Sequence, residues 1–433
     1  MITPKRPSGF NELLPADQMA FNAMVSIIKM SYEQYGYAPL ETPALELAPV
    51  LLAKEGGETA KQVYRFTKGD TDLAMRFDLT IPFARYTAEH FNELAFPFRR
   101  YQIQEVWRAE KAQAGRYRQF YQCDIDTIGS KSPMADADTI LTMRGAFQAL
   151  GVKDILFKIS HRGLLAGILE DKKLSKNTSS VLRAVDKLDK QGESAVVSEL
   201  ITNGLSKQYA KDLIDFVKHS GNAKTIFSFL QSVDISNETF TKALSELTTI
   251  VKLLNAAGMK NSEFVIDLSI ARGLDYYTGM VFETILTKHP KAGSVCGGGR
   301  YDNLLASYRK DSMPGVGASI GLSRLFGAIK DELKNGPSNP AQVLIILFDE
   351  AAVDYSLEVA ATLRQHNLNV LVYPGFEKIG KSLGYADKLG IPLAVMCGNY
   401  EAEKNTVTIK NMKSGKQTTV SLKKAAAAIR KEL

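Results

Sequence analysis

Two stretches, Phe96-Pro-Phe-Arg-Arg-Tyr-Gln-Ile-Gln-Glu-Val-Trp107 and Tyr117-Arg-Gln-Phe-Tyr-Gln-Cys-Asp-Ile-Asp-Thr-Ile128, alternate in strand fashion on either side of the polar loop Ala109-Glu-Lys-Ala-Gln-Ala-Gly-Arg116. Period-two alternation sends successive side chains to opposite faces, so the pair reads as a long antiparallel hairpin. If Trp107 packs inward, Arg108 points the other way, and Arg108, Glu110, Gln122, Asp124 and Asp126 share one surface. A face that mixes guanidinium and carboxylate suits a zwitterion beside a phosphate: arginine forks clamp anions, while carboxylates take an ammonium or an imidazole N–H. On spacing alone, a salt-bridge ladder on a solvated sheet is the alternative.

The rest of the chain sets the outer bounds. It has 433 residues, 45% hydrophobic and 23% charged, and 54 Lys and Arg against 47 Asp and Glu leave a net charge of +7. Such a length predicts two to four domains at about 100–200 residues each, and the composition excludes a disordered or fibrous chain. No run of about 18 apolar residues occurs, so no membrane attachment is expected. Pro4, Lys5, Arg6 and Pro7 stand where a secretory signal needs an apolar core, so the expected location is cytoplasmic. Cys123, Cys296 and Cys397 lie far apart without metal-ligand spacing, as suits reduced, packed thiols. The basic excess agrees with a polyanionic partner without deciding for one.

Upstream of the hairpin, residues 18–35 read as a helix burying Met19, Val25, Ile28 and Tyr32, with Gly36 just past its end. From residue 167 to 260 the texture turns Lys-, Ser- and Leu-rich, with helical periodicity and no strand pattern. Strand patterns return at 263–268 and 280–286, and 315–329 look like a strand entering a buried helix, so the first domain resumes after a helical insertion. Lys334-Asn-Gly-Pro-Ser-Asn-Pro340 has the composition of a linker. Beyond it, strands at 343–348, 370–373 and 393–397 alternate with helices at 351–366 and 379–389, as in a small α/β sheet. The last 33 residues hold eight Lys and Arg against three Glu, the expected docking place for a phosphate backbone.

Three more clusters carry function-like residues. In Ala74-Met-Arg-Phe-Asp-Leu-Thr80, a strand reading puts Arg76, Asp78 and Thr80 on one face, with Asp78 able to accept from a substrate amine. Ala271-Arg-Gly-Leu-Asp-Tyr-Tyr-Thr-Gly279 brackets Arg272 with glycines that permit close approach of a ligand. Gly297-Gly-Gly-Arg-Tyr-Asp302 is followed by Gly315-Val-Gly-Ala-Ser-Ile-Gly-Leu-Ser-Arg324, which places Arg324 in the first turns of an apolar helix, where a buried cation needs an anion. Neither glycine-rich stretch fits G-x-x-x-x-G-K-S/T or G-x-G-x-x-G with a downstream acid, so ATP is not expected to bind in either common α/β way. His90, His161, His219, His289 and His366 fall outside every cluster, which leaves a His-centred triad or a zinc site unsupported. The chemistry falls to arginines and positioning.

Together these clusters resemble the three motifs of class II aminoacyl-tRNA synthetases. Arg272-Gly-Leu-Asp-Tyr-Tyr-Thr-Gly279 and Gly115-Arg-Tyr-Arg-Gln-Phe120 are similar to strings of the histidyl-tRNA synthetase family, a likeness that spans nearly the whole chain. Residues 9–15 resemble that family's N-terminal entry, Glu41-Thr-Pro43 its dimer-forming motif 1, residues 98–128 its motif 2 and residues 315–325 its motif 3. Tyr385-Ala-Asp-Lys-Leu-Gly-Ile-Pro392 resembles a string of its anticodon-binding module.

The resemblance implies an α+β catalytic domain with an antiparallel sheet (1–166 and 261–330), a helical insertion (167–260), a linker (331–341) and a C-terminal α/β anticodon-binding domain (342–433). It implies that Arg108 and Arg324 grip the ATP phosphates, with Glu110 near the adenine and Arg116 toward the outer phosphates. Arg272 would be catalytic beside Arg108 and Arg324, stabilising the α-phosphate and the histidine carboxylate where related enzymes use a metal. Asp78, Leu79, Thr80, Gln122, Asp126, Arg272, Tyr276 and Tyr277 would bind histidine. No protein-held metal is implied; ATP is a substrate, accompanied by Mg2+. The implied partners are L-histidine, ATP, histidine tRNA and a second copy of the chain through motif 1.

The implied reaction joins histidine to the ATP α-phosphate with release of pyrophosphate, then passes the histidyl group to the 3′ end of tRNA. A non-catalytic alternative is the synthetase-like regulatory subunit of ATP phosphoribosyltransferase. Such paralogues usually lose the active-site arginine or the C-terminal domain, whereas Arg108, Arg272, Arg324 and a long C-terminal segment are all present. A synthetase for threonine, proline or glycine is a further alternative that the Arg-Gly-Leu-Asp-Tyr-Tyr string disfavours. Phe77 stands where the family often has proline, and Asn11 where it often has aspartate; neither removes a substrate-contacting charge.

Overall fold

The hairpin is the spine of the larger sheet. The computed structural model describes residues 1–52, 58–111, 115–270, 276–310, 313–333 and 338–433. Contacts divide the chain into two units, Met1–Asn11 with Met24–Lys330, and Glu12–Ala23 with Asp331–Leu433.

In the first unit a short strand β1 (Ala38–Pro39) precedes a small sheet of β2 (Leu45–Leu47), β3 (Arg65–Lys68) and β4 (Thr71–Met75), ordered β2-β4-β3. The hairpin follows as β5 (Phe98–Trp107) and β6 (Gln119–Ile128). Then come β7 (Ile155–His161), β8 (Ser220–Gly221), β9 (Phe264–Asp267), β10 (Met280–Leu286), β11 (Ser294–Tyr301) and β12 (Gly315–Gly321). Among the described residues they form a nine-stranded sheet ordered β1-β5-β6-β12-β11-β10-β7-β9-β8. Only the β1–β5 and β7–β9 pairs run parallel.

Register decides which side chains meet. Across β5 and β6, Arg100 faces Asp126, Gln102 faces Asp124 and Gln104 faces Gln122, all on one face of the pleat. Across β6 and β12, Asp124 faces Ser319 and Asp126 faces Gly317. The glycine-rich stretch is therefore a pair of central strands, and its glycines answer crowding. A Cβ on Gly317 would lie 2.0 Å from Asp126 Oδ1, and one on Gly298 2.4 Å from the Gly317 carbonyl. At Gly317 the side-chain space is already taken by Asp126 of β6, and at Gly298 by β12 itself.

Helices cover the sheet. The first helix, Pro15–Gln34, turns Phe21, Met24, Ile28 and Tyr32 inward, while Met19 and Val25 are only half-buried, so the buried stripe is rotated from the one expected. Tyr32 Oη donates to the Cys123 carbonyl at 3.0 Å, which fastens this helix to β6. The Pro133–Ala149 helix starts with Ser132 capping the Met134 N–H and proline in its first turn, a favoured start because proline's missing donor has no helical partner there anyway.

Between residues 167 and 260 the chain is helical except at β8, which pairs with β9 at the sheet edge and corrects the expectation of no strand there. Two residues are too few for alternation to register in the sequence. The longest helix of this stretch, Glu238–Ala256, buries Phe240, Leu247, Ile250 and Leu254.

The second unit holds β13 (Val343–Ile346), β14 (Val370–Val372), β15 (Leu393–Met396), β16 (Thr406–Asn411) and β17 (Gln417–Ser421), ordered β14-β13-β15-β16-β17. The first three are mutually parallel and the last two antiparallel. Every residue of β13 is buried, as in a strand covered on both faces. Val343 and Ile345 pack with Val359, Leu363 and Ile429, whereas Leu344 and Ile346 pack with Ala386 and Ile391. The hairpin of β16 and β17 lies in the basic tail, where no strand is expected from the residue pattern. Residues 334–337 of the expected linker lie outside the described residues.

Candidate active site

A cavity of about 280 Å3 opens beside the hairpin. Its walls include Arg108, Glu110, Arg116, Gln122, Tyr277 and Arg324, six of the residues singled out from sequence, together with Glu283 and Ser319. Arg108 follows β5. Its Nε donates to the Phe77 carbonyl at 3.1 Å, and its guanidinium sits 4.3 Å from the Phe77 ring and 5.1 Å from the Phe120 ring. Phe77, noted above as a departure from the family pattern, is thus one side of the seat that holds Arg108.

Arg324 lies in the first turn of the Leu322–Ile329 helix. Among the described residues, the hydrogen-bond partners of Arg324 are carbonyls and not the anion expected. Its Nε and Nη1 donate to the carbonyls of Gly115 and Ser294, at 3.1 and 2.6 Å. Burial lowers its proton affinity, and the neighbouring charges of Arg116 and Arg108 lower it further against the pull of Glu110 and Glu283. Arg116 reaches Glu110 only at 3.8 Å. Three guanidiniums converging on one cavity repel one another, an arrangement that a polyanion relieves.

Along β6 from the cavity-lining Gln122, on the same face of the pleat, comes a buried acidic group, the floor of the site. Arg100, fully buried, places Nη2 2.6 Å from Asp126 Oδ2, and Tyr301 Oη donates to Asp126 Oδ1 at 2.6 Å. Loss of water pushes Asp126 up to about 6 even though Arg100 and the Tyr301 hydroxyl favour its charged form. Desolvation likewise pushes Asp124 up to about 7, with Arg100 opposing and Asp126 adding to the rise.

Asp78 corrects the strand expectation for 74–80. Pairing ends at Met75 and a helix starts at Thr80, so Arg76, Asp78 and Thr80 do not share a strand face. Asp78 Oδ1 instead accepts from the Ile81 N–H at 2.9 Å, closing the helix start, and burial raises its proton affinity. Arg76 turns away to the carbonyls of Thr42 and Glu105. Leu79 has a fully buried side chain, and its carbonyl accepts from Arg100. Thr80 hydrogen-bonds Tyr276, whose ring packs against Tyr277 and Tyr301 at 5.0 and 5.9 Å. The Tyr277 carbonyl is held by Arg162 Nη1 at 2.7 Å.

Among the described residues, Asp78 Oδ2, Gln122 Oε1 and Asp124 Oδ1 are buried acceptors without a hydrogen-bond partner. A ligand rich in N–H donors is what such a floor lacks. Arg272, expected to be central, lies outside the described residues. Arg100 and Tyr301 were missed as site residues: Arg100 was read only as one of the hairpin's charges, and their convergence on Asp126 joins β5, β6 and β11 through sheet register. The signal available was the pairing of Arg100 with Asp126 across the hairpin.

No group of three or more His, Cys, Asp or Glu side chains able to hold a metal occurs among the described residues. Glu110 and Glu283 are the cavity's carboxylates, and Mg2+ carried on a polyphosphate needs only one or two of these beside phosphate oxygens and water, so the donor set fits.

Residues 9–325 match the histidyl-tRNA synthetase family model, and residues 342–432 match the anticodon binding domain. A histidine–tRNA ligase of Clostridium tetani is 43% identical over 435 residues, covering 99% of either chain. The crystal structure of a histidyl-tRNA synthetase from Nostoc sp. PCC 7120 aligns over 100% of both chains with a TM-score of 0.87 and 36% identity. An ATP phosphoribosyltransferase regulatory subunit/histidyl-tRNA synthetase from Bacillus halodurans C shares the fold, at TM-score 0.76 and 21% identity over 89% of this chain and 97% of its own. The larger unit therefore has the class II catalytic fold with its mixed, mainly antiparallel sheet, and the C-terminal sheet is a separate anticodon-binding domain. With both family matches in chain order and a relative alike from end to end, the chain belongs to the histidyl-tRNA synthetase family.

Proposed function

We propose that this chain is a histidine–tRNA ligase, which activates L-histidine with ATP to histidyl-adenylate and pyrophosphate and then esterifies the 3′ end of histidine tRNA. The observation that carries the reading is the polarity of the site: the guanidiniums of Arg108, Arg116 and Arg324 and the unpaired Gln122 Oε1 line one cavity, and two further unpaired acceptors, Asp78 Oδ2 and Asp124 Oδ1, are buried beyond its lining. Histidine bound with its nitrogens inward presents its carboxylate outward, toward the phosphates held by the arginines. Asp78, Thr80, Gln122, Asp126, Tyr276 and Tyr277 surround the amino acid, and Leu79 contributes through its backbone.

The histidine carboxylate attacks the ATP α-phosphorus, the bond to the β-phosphate oxygen breaks, and pyrophosphate leaves. The tRNA ribose hydroxyl then attacks the histidyl carbonyl and AMP leaves. In this reading Arg272 would stabilise the reacting carboxylate and α-phosphate, and Mg2+ accompanying the polyphosphate, with Glu110 and Glu283 as its protein donors, would offset the charge of the leaving group. Proximity and cationic stabilisation supply the rate enhancement, with no covalent enzyme intermediate.

Residues 1–166 and 261–330 form the catalytic domain, 167–260 the insertion, 331–341 the linker and 342–433 the reader of the tRNA anticodon. The enzyme works in the cytoplasm as a homodimer joined at motif 1. Exposed Leu45, Leu47 and Phe66, which follow that motif on the small sheet, are apolar surface that a second copy covers. No helix among the described residues is long and apolar enough to cross a membrane.

The test is ATP–pyrophosphate exchange against each of the twenty amino acids, followed by charging of total tRNA. Exchange with histidine alone, and charging of a single acceptor class, is the expected result. Exchange with another amino acid, or with none, overturns the reading.

A further inference from the structure

Asp124 is the one floor acid to which no role has been given. It occupies the β6 position between Gln122 and Asp126, so by alternation its side chain shares the face of a residue that lines the cavity. It is 3% exposed, and its Oδ1 has no hydrogen-bond partner among the described residues. Opposite it in register stands Ser319, a cavity-wall residue that hydrogen-bonds its carboxyl and accepts from Gln122 Nε2 at 3.1 Å. The chain Gln122–Ser319–Asp124 thus runs from the open cavity to a buried carboxylate with one acceptor to spare.

The alternatives for such a group are few. Arg100 gives its Nη2 to Asp126 and to the Leu79 carbonyl while its Nε and Nη1 stay without a hydrogen-bond partner, and Arg76 goes to Gln104 and the carbonyls of Thr42 and Glu105. Neither is hydrogen-bonded to Asp124. A buried carboxylate kept next to a second one, with a free lone pair, is costly unless a ligand completes it.

We propose that Asp124 is a further histidine-binding and specificity-determining residue, whose Oδ1 accepts a hydrogen bond from an N–H of the bound amino acid. This inference rests on the histidine–tRNA ligase reading above. Histidine brings the donors of its ammonium and its ring, and Asp78 Oδ2, Gln122 Oε1 and Asp124 Oδ1 together supply acceptors for them. An amino acid without a ring N–H leaves at least one of the three unpaired, which is how such a floor discriminates.

The ionised carboxylate is the better acceptor, so histidine affinity rises with pH as Asp124 loses its proton, near 7. The charged and titratable groups close enough to interact with its charge are Arg100 from β5, Arg76 and Asp78 from the segment after β4, Asp126 and Cys123 from β6, Cys296 from β11, Tyr277 after the undescribed 271–275 segment, and Tyr32 from the first helix.

The experiment compares full-length parent and Asp124→Asn in histidine-dependent ATP–pyrophosphate exchange from pH 6 to 8.5. The variant is expected to raise KM for histidine about ten- to hundredfold at pH 8, with KM for ATP within twofold, because a lost hydrogen bond to a charge has that size. The difference between the two KM profiles should shrink toward pH 6, where the parent acid is protonated; subtracting profiles cancels the titration of free histidine itself. Unchanged KM for histidine, or equal rises in both KM values, overturns the proposal while leaving the ligase reading standing. Absence of histidine-dependent exchange in the parent overturns both. Should Asp124→Asn fail to fold, Asp124→Ser carries the same measurement. If neither folds, Asp124 is a structural acid and the proposal fails.

Discussion

The two larger sheets of this chain bury opposite things. Within the described part of the C-terminal sheet and its helices, the buried polar side chains are Ser356 and Ser382, and everything else inside is apolar. The catalytic sheet instead buries Arg76, Asp78, Arg100, Asp124, Asp126, Asp136 and Arg300. Burying charge weakens a core unless each charge is paired, and Arg300 with Asp136 shows complete pairing: its Nε lies 3.0 Å from Asp136 Oδ1, and Nη1 and Nη2 reach the carbonyls of Ser130 and Ser132. The floor acids are not completed in that way. The contrast teaches that a sheet built to receive a charged ligand is marked by unpaired carboxylate oxygens, Asp78 Oδ2 and Asp124 Oδ1, where the described part of the C-terminal unit leaves only hydroxyls such as Ser382 Oγ unpaired.

The contrast can be broken first at Arg100. Arg100→Met strands Asp126 without its cation and should cost about 3–5 kcal/mol in urea unfolding at pH 8; a loss below 1 kcal/mol would falsify the claim that the pair holds the floor together. Next in size, Arg324→Ala should slow pyrophosphate exchange about 100- to 1000-fold, the usual effect of removing one preorganised cationic or donor group, and Arg272→Ala should lose at least about a hundredfold. A rate within tenfold of the parent for either removes that arginine from the phosphate-binding set.

The ligand-free state of the floor gives a third handle. The pKa of Asp124 is raised on folding from 3.8 to about 7, so the folded state holds the proton more tightly, and that favourable contribution is lost as pH rises through this window. Asp124→Asn should therefore raise the melting temperature relative to the parent more at pH 8 than at pH 5, by about a few degrees. An equal shift at both pH values argues that the acid is not buried in its charged form.

In the C-terminal sheet, Ile409→Val, at a buried position of β16, should cost about 0.5–1.5 kcal/mol at any pH between 5 and 8, because only a methylene is lost from an apolar core. A pH-dependent cost would mean that charge is buried there too. The smallest effect is expected at Lys381, whose pair with Glu377 at 2.6 Å is solvent-exposed. Lys381→Ala should leave the melting curve unchanged, and if it contacts tRNA it should lower the salt dependence of charging.

Much of this was legible beforehand. The hairpin was readable because ten-residue strands leave a long period-two record, and β13 because a strand covered on both faces is a continuous apolar run. Arg108, Arg116 and Arg324 could be named from their motifs. The segment 74–80 misled because Arg-Phe-Asp-Leu-Thr alternates like a strand, yet its Asp78 is used to cap a helix. The two-residue β8 and the polar β16–β17 hairpin were too short or too hydrophilic to register. The strand at 315–321 was readable, but its pairing with β11 was not, and at Gly298, Gly299, Gly315 and Gly317 an added Cβ would strike a neighbouring atom.

Sequence by itself determined the longer elements, the family and the identity of most charged side chains near the site, because periodicity and motif are local properties of the chain. Only the tertiary structure decided which charges cancel. Arg100 neutralises Asp126, Phe77 seats Arg108, and Asp124 keeps an unpaired oxygen, because strand register and burial bring together residues whose separation along the chain says nothing about their partners.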